Sequence, residues 1–248
     1  MSILKKFAVI AVGVAFVSAN VATVEARPRD NSETKVSTER SSEKKSFRER
    51  IDAILQEIDD SYGEKKQYDI LEGTPVITSI YDESIMGTAM ATEEQCVKYL
   101  LKNNPLPKIS VSPEEIVSLY YEEALKEGVR PDVAFSQALH ETGFFRYGGT
   151  VTPDQNNYCG LGTTSSTVKG HYFPTAREGV RAHIQHILAY TTDRLPREKL
   201  IDPRYYVAKK AYGNLGINTW HGFNGRWAVP GVGYGAKVLD IFRKIMAE

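Results

Sequence analysis

The sequence carries no surplus of either charge: Lys plus Arg is 31 and Asp plus Glu is 31, so the formal net charge is zero. A nucleic-acid binder usually shows a basic excess or a basic face. Neither is visible, so no nucleic-acid partner is expected. Cysteine is scarce, with Cys96 and Cys159 alone and neither in a CxxC. Zinc ribbons and thioredoxin-type chemistry therefore have no support. In an exported chain the two can form one disulfide; two separately buried thiols fit as well. Past the N-terminus no apolar stretch is long enough to span a bilayer. No Gly-rich phosphate loop follows a strand pattern, and no G-x-S-x-G elbow occurs.

What is present begins with an export pattern. Lys5 and Lys6 precede an apolar run at residues 7–17, and Val24-Glu25-Ala26 stands at the usual cleavage spacing. Residues 1–26 thus read as a signal peptide, or as an uncleaved anchor. Either way the folded part is expected to be secreted or in the cell envelope. Residues 27–45 hold almost nothing apolar and cannot offset the entropy of ordering. Phe47, Ile51, Ile54, Leu55 and Ile58 then recur at helical spacing, giving an amphipathic helix that can dock on the main domain or on a cell-envelope partner. Residues 27–83 are read as a charged linker bearing that helix, with a short β-like stretch at 76–81. The main domain is placed at 84–248.

Capping signals mark the helices. Thr92 with Gln95, and Thr175 with Glu178, have capping-box spacing. Ser112-Pro113-Glu114-Glu115 combines an N-cap Ser with Pro at the first helical position. Pro131 opens a strongly apolar helix that ends near Glu141-Thr142-Gly143. Further helices are expected at about 203–212 and at the C-terminus, through Val238, Ile241, Phe242 and Ile245. Residues 158–173 are rich in Gly, Thr and Ser, with strand formers at Val168, Tyr172 and Phe173, and read as two short strands and a turn. The sum is a mainly α domain (α+β) interrupted by one small β-hairpin.

Glu141 stands out chemically. It lies among Leu139, Phe144 and Phe145, where desolvation raises a carboxyl pKa, and a raised pKa suits a general acid at neutral pH. The structural alternative is an exposed glutamate at a helix end. That position is disfavoured by the helix dipole and asks for compensation, for which Arg146 is at hand. A metalloprotease reading of His140-Glu141 fails because Phe144 stands where the second His belongs. His183 and His186 share a helix face but make only half a metal site, so no metal is expected.

Three motifs follow in order: Ala134-Phe135-Ser136-Gln137-Ala138-Leu139-His140-Glu141-Thr142-Gly143, then Asn156-Asn157-Tyr158-Cys159-Gly160-Leu161-Gly162, then Phe173-Pro174-Thr175-Ala176-Arg177-Glu178-Gly179-Val180. Together they resemble glycoside hydrolase family 73, the bacterial N-acetylglucosaminidase domain of the lysozyme superfamily. Trp227-Ala228-Val229-Pro230-Gly231 with Tyr234 is similar to the family's closing segment, and Ile85-Met86-Gly87 with Thr92-Glu93-Glu94-Gln95 to its lead-in. The resemblance implies a lysozyme-like helical domain with a small β-hairpin lobe flanking a cleft. It also implies a secreted autolysin-type hydrolase that cuts peptidoglycan glycan strands after N-acetylglucosamine, without cofactor; a monomer is expected.

The resemblance gives Glu141 the general-acid role and lets Tyr234 orient a water or the substrate acetamido group; Tyr234 can instead pack at a helix start. Asn157, Tyr158, Trp227 and Phe144 are the candidate substrate contacts, with turn formation for Asn157 and core anchoring for Trp227 as the other readings. The second glutamate that several family members carry on the hairpin is missing: residues 158–177 hold no Asp or Glu. Glu178 fits a capping role. Asp154 remains as a candidate second carboxylate, or as a turn former. Hydrolysis assisted by the substrate's own acetamido oxygen, or by a water that Tyr234 positions, is the expected route. A lytic transglycosylase and a non-catalytic wall-binding or scaffold protein are the alternatives.

Overall fold

Helices form where caps and apolar periods coincide. The computed structural model describes residues 66–248, apart from 164 and 166. The export segment and the helix expected at 47–58 lie outside the described residues. Among the latter, α1 is Glu93–Asn103, α2 Pro113–Lys126, α3 Pro131–Thr142, α4 Ala176–Thr191, α5 Tyr205–Tyr212 and α6 Tyr234–Ile245. Thr92 and Gln95 form a complete capping box at α1. Ser112 accepts from Glu115 N at 3.1 Å at α2, and Thr175 accepts from Glu178 N at 3.2 Å at α4. Each such cap contributes about 0.5–2 kcal/mol.

α2 is the central helix, packed against α1, α3 and α4, while α6 closes over α3 and α5 lies on α4. Val238, Leu239, Ile241, Phe242 and Ile245 make the buried stripe of α6; each contributes about 1.5–3 kcal/mol by leaving water. Gly235, in the first turn of α6, is set by close approach: a Cβ there would meet the Trp220 carbonyl oxygen at 2.3 Å. The same holds at Gly179 in α4, where a Cβ would come within 1.8 Å of the Asn156 carbonyl oxygen.

The mainly α reading holds, but the described residues form no β-hairpin lobe. Those within 158–173 fold as linked turns around Asn157. Its Nδ2 donates to the carbonyls of Leu161 (2.9 Å) and His171 (3.0 Å), and its Oδ1 accepts from Leu161 N at 2.9 Å. Gly160 and Gly162 turn the chain with φ of +70° and +83°, which breaks strand geometry. Val168 and Tyr172 stay exposed, so no buried face rewards pairing. Residues 76–81 form no strand either; isolated bridges join Ser84 to Thr219 and Met86 to Val129. Residues 66–83, read as linker, lie against the helical body: Leu71 N donates to Leu125 O at 3.0 Å, and Tyr68 and Ile80 pack on the core.

Candidate active site

Glu141 occupies the last turn of α3, which Gly143 ends in the left-handed conformation with φ of 58°. The turn that follows is unusual. Phe144, Phe145 and Tyr147 all have positive φ, at 60°, 56° and 59°, a region non-glycine residues rarely adopt. Arg146 does not compensate the carboxyl. Its guanidinium donates to the carbonyls of Gly143 and Asn103, the orphan acceptors that helix ends leave behind. Burial pushes the Glu141 carboxyl above the ordinary carboxylate range, and hydrogen bonds from Tyr234 and Trp227 pull part of the way back.

A chain of buried polar groups runs from Glu141 into the core. Tyr234 OH donates to Glu141 Oε1 at 2.5 Å, and Gln137 Nε2 donates to Tyr234 OH at 2.7 Å. Gln137 Oε1 faces His183 Nε2 at 3.0 Å, and His183 Nδ1 faces Tyr120 OH at 2.9 Å. The directions follow from the chemistry. Burial lowers the His183 pKa to about 3, so the ring is neutral and carries one N–H. The Gln137 oxygen can only accept, which places that hydrogen on Nε2; Nδ1 then accepts from Tyr120. Every bond in the chain therefore points toward Glu141. Aligned bonds of this kind polarise one another in a dry interior.

Glu141 stands where two arms of an open groove meet. One arm, of about 470 Å³, is lined by Trp227, His186, Tyr190, Arg204 and Arg226, with Val207 and Val229 at its lip. The other, of about 240 Å³, runs past Gly143, Tyr147 and Thr150. Glu141, Gly160 and Thr163 line both, and Glu141 is the sole carboxylate among the lining residues. Trp227 is half-buried and packs on His186, Tyr190 and Phe223 with ring centroids 5.1, 5.5 and 5.2 Å away. It thus anchors one arm while lining it.

The other residues singled out from the sequence lie elsewhere. Asp154 is exposed on the short turn Pro153–Gln155, and a hydrogen bond from Thr152 holds its carboxyl below the ordinary range. Asn157 is buried and committed to the turns it organises. Tyr158 is buried edge-on against Phe145, centroids 5.8 Å apart. Phe144 stacks toward Tyr99 at 5.9 Å. None of these four lines either arm. His186 Nδ1 pairs with Asp202 Oδ2 at 2.8 Å, so the two histidines of α4 serve separate partners. Among the described residues no three His, Cys, Asp or Glu gather as a metal set, and no helix is long and apolar enough to cross a membrane. Both cysteines are free and buried, which settles their pairing in favour of separate thiols. Gln137 and His183 join Glu141 through the chain of hydrogen bonds, although the sequence singles out neither as a catalytic or substrate-binding residue. The available signal for Gln137 was its place one turn before Glu141, on the same helix face.

A half-buried carboxylic acid at the meeting of two groove arms in a helical domain is the arrangement of a glycoside hydrolase. The chain belongs to the glucosaminidase family, whose model, described as mannosyl-glycoprotein endo-beta-N-acetylglucosaminidase, matches residues 117–246. A protein of Borreliella burgdorferi described as uncharacterized is 37% identical over 136 residues, covering 54% of this chain and 64% of that relative. The match thus spans a little under two-thirds of the relative's length. No solved structure matches the chain.

Proposed function

We propose that the protein is an exported peptidoglycan hydrolase that cuts the β-1,4 bond after N-acetylglucosamine, with Glu141 as its general acid. The observation that carries this reading is the place of Glu141 between two groove arms, with Tyr234 on one carboxyl oxygen. A strand lying through both arms presents an internal bond to the acid, which suits endo-cleavage of a polymer. Tyr234 donates to Oε1, so the proton of the neutral acid sits on Oε2. Transfer of that proton to the glycosidic oxygen lets the C–O bond break with its electron pair on the leaving sugar.

The cation left behind needs a nucleophile, and the groove lining supplies no second carboxylate. The 2-acetamido oxygen of the cleaved sugar takes that place, as in substrate-assisted glycosidases. Water then opens the cyclic intermediate, and the Glu141 carboxylate accepts its proton. Alternatively, a water aligned by Tyr234 attacks directly. The same lone carboxylate also favours a second reading, a lytic transglycosylase, in which the 6-hydroxyl of the cleaved muramic sugar attacks its own anomeric carbon and gives up its proton to the Glu141 carboxylate. Mass spectrometry of peptidoglycan digests separates the two. Reducing N-acetylglucosamine ends are expected, and 1,6-anhydromuramic ends would replace hydrolysis by transglycosylation.

A further inference from the structure

The larger groove arm carries two guanidinium groups, Arg204 and Arg226, and no carboxylate besides Glu141. Elsewhere in the fold arginines are occupied. Arg130, Arg177, Arg181, Arg194 and Arg243 each lie within 4.0 Å of a carboxylate. Arg146 and Arg197, away from this arm, donate to backbone carbonyls. Among the described residues neither Arg204 nor Arg226 has a carboxylate within that distance. Arg226 spends one nitrogen on Gly222 O at 2.9 Å. The half-buried Arg204 guanidinium makes no hydrogen bond to the described residues.

Local structure explains why Arg204 is left open. It stands at the start of α5, and its backbone N–H is held by Asp202 Oδ1 at 2.8 Å. The other oxygen of Asp202 is taken by His186, and the Asp202 side chain is fully buried behind the groove wall. The one nearby acid is thereby engaged beneath the surface, while the guanidinium lines the groove. A guanidinium left unpaired at a concave surface matches the planar, two-oxygen geometry of a carboxylate.

We propose that Arg204 and Arg226 hold a carboxylate carried by the glycan while Glu141 faces the adjacent glycosidic bond. The inference rests on the proposed glycan substrate and adds that the bound strand is anionic. Two sources offer this chemistry: a free lactyl carboxylate on the sugar itself, or a carboxylate of an attached stem peptide.

The test uses the full chain with Glu141→Gln, so that binding is read without cleavage. Three ligands are compared by calorimetry: peptide-bearing glycan strands, peptide-stripped strands with free sugar carboxylates, and N-acetylglucosamine oligomers with neither. Binding to a carboxylated strand is expected to be on the order of tenfold tighter than to the neutral oligomer, and to weaken with salt. Preference for stripped strands assigns the sugar carboxylate; preference for peptide-bearing strands alone assigns the stem. Adding Arg204→Gln and Arg226→Gln should abolish the preference, and each single change should reduce it. Equal affinity of the Glu141→Gln chain for all three ligands would overturn the proposal, as would a preference that survives the arginine changes. If the wild type cuts none of the three, the hydrolase reading fails, but the binding comparison still decides the role of the two arginines.

Discussion

Tyr234 donates to Oε1 of Glu141 at 2.5 Å while its own oxygen accepts from Gln137 at 2.7 Å. The phenol is therefore saturated in one direction, and it fixes the inner oxygen of the carboxyl. Replacing Glu141 by Gln keeps the shape and removes the transferable proton. Activity on purified peptidoglycan is expected to fall by about 10²–10⁴-fold, the usual contribution of a general acid. Wild-type turnover in this variant would sink the acid assignment.

The same substitution should stabilise the fold. Burial raises the Glu141 pKa, so above the ordinary glutamate range the unfolded chain has released a proton that the native one retains. Stability then falls as pH rises toward the native pKa. Glu141→Gln lacks this loss, so its melting temperature should exceed that of wild type at neutral pH, with the gap closing near pH 4. A lower melting temperature for Glu141→Gln at pH 7 would contradict the burial argument.

Removing the phenol proton moves the pH profile in a definite direction. The Tyr234 hydrogen bond lowers the Glu141 pKa against the larger effect of burial. In Tyr234→Phe the carboxyl pKa rises further, so the alkaline limb of the rate profile should shift to higher pH. The maximal rate should drop by about tenfold through poorer orientation of the acid. A lower rate with an unmoved limb would reduce Tyr234 to packing.

Gln137 tests the polar chain itself. A carboxylate in Gln137→Glu accepts where the amide donated, drawing the Tyr234 proton away from Glu141. Its negative charge, one helical turn from Glu141, raises that pKa as well. The alkaline limb should move up as in Tyr234→Phe, whereas a merely structural defect lowers the rate at every pH equally. Gln137→Leu should instead leave the His183 N–H and the Tyr234 oxygen without partners, at a cost of about 1–3 kcal/mol for each buried group.

The sequence announced the elements whose causes are local. Thr92, Ser112 and Thr175 cap the helices they were expected to start, because a cap is a contact between residues three apart. Gly179 and Gly231 are glycines for a reason visible only in three dimensions: a Cβ at either would meet a carbonyl oxygen of the chain. Residues 158–173 defeated pattern reading because strand propensity reports fit to a half-buried surface, and the Asn157 side chain supplies the bonds a ladder would have made. Glu141 was legible through its apolar neighbours, yet one of them, Phe144, turns to Tyr99 instead of the groove. The partners of Glu141 lie on other elements, Tyr234 on α6 and His183 on α4, and no local pattern reports such a meeting.

The ion pairs that join α2 to α4 give a prediction independent of the groove. The Glu123 side chain is only 1% exposed and meets Arg177 at 2.8 Å and Arg181 at 2.7 Å. Burial alone would raise its pKa, but the hydrogen bonds from Arg181 and Arg177, together with the charges of Arg181 and Lys126, more than offset that, and the net shift is downward. A lowered native pKa means the stabilisation is complete above the ordinary glutamate range and is lost as pH falls through the native value. Glu123→Gln removes one partner and leaves two guanidinium groups facing an amide. The cost should be about 2–4 kcal/mol at neutral pH, below the figure for a fully buried pair because Arg177 opens to water. Chemical denaturation of both proteins across pH 2–7 checks this. Their stabilities should differ most at neutral pH and converge in acid, where wild-type Glu123 is protonated too; a constant difference across the range would show that packing, rather than charge, holds α2 to α4.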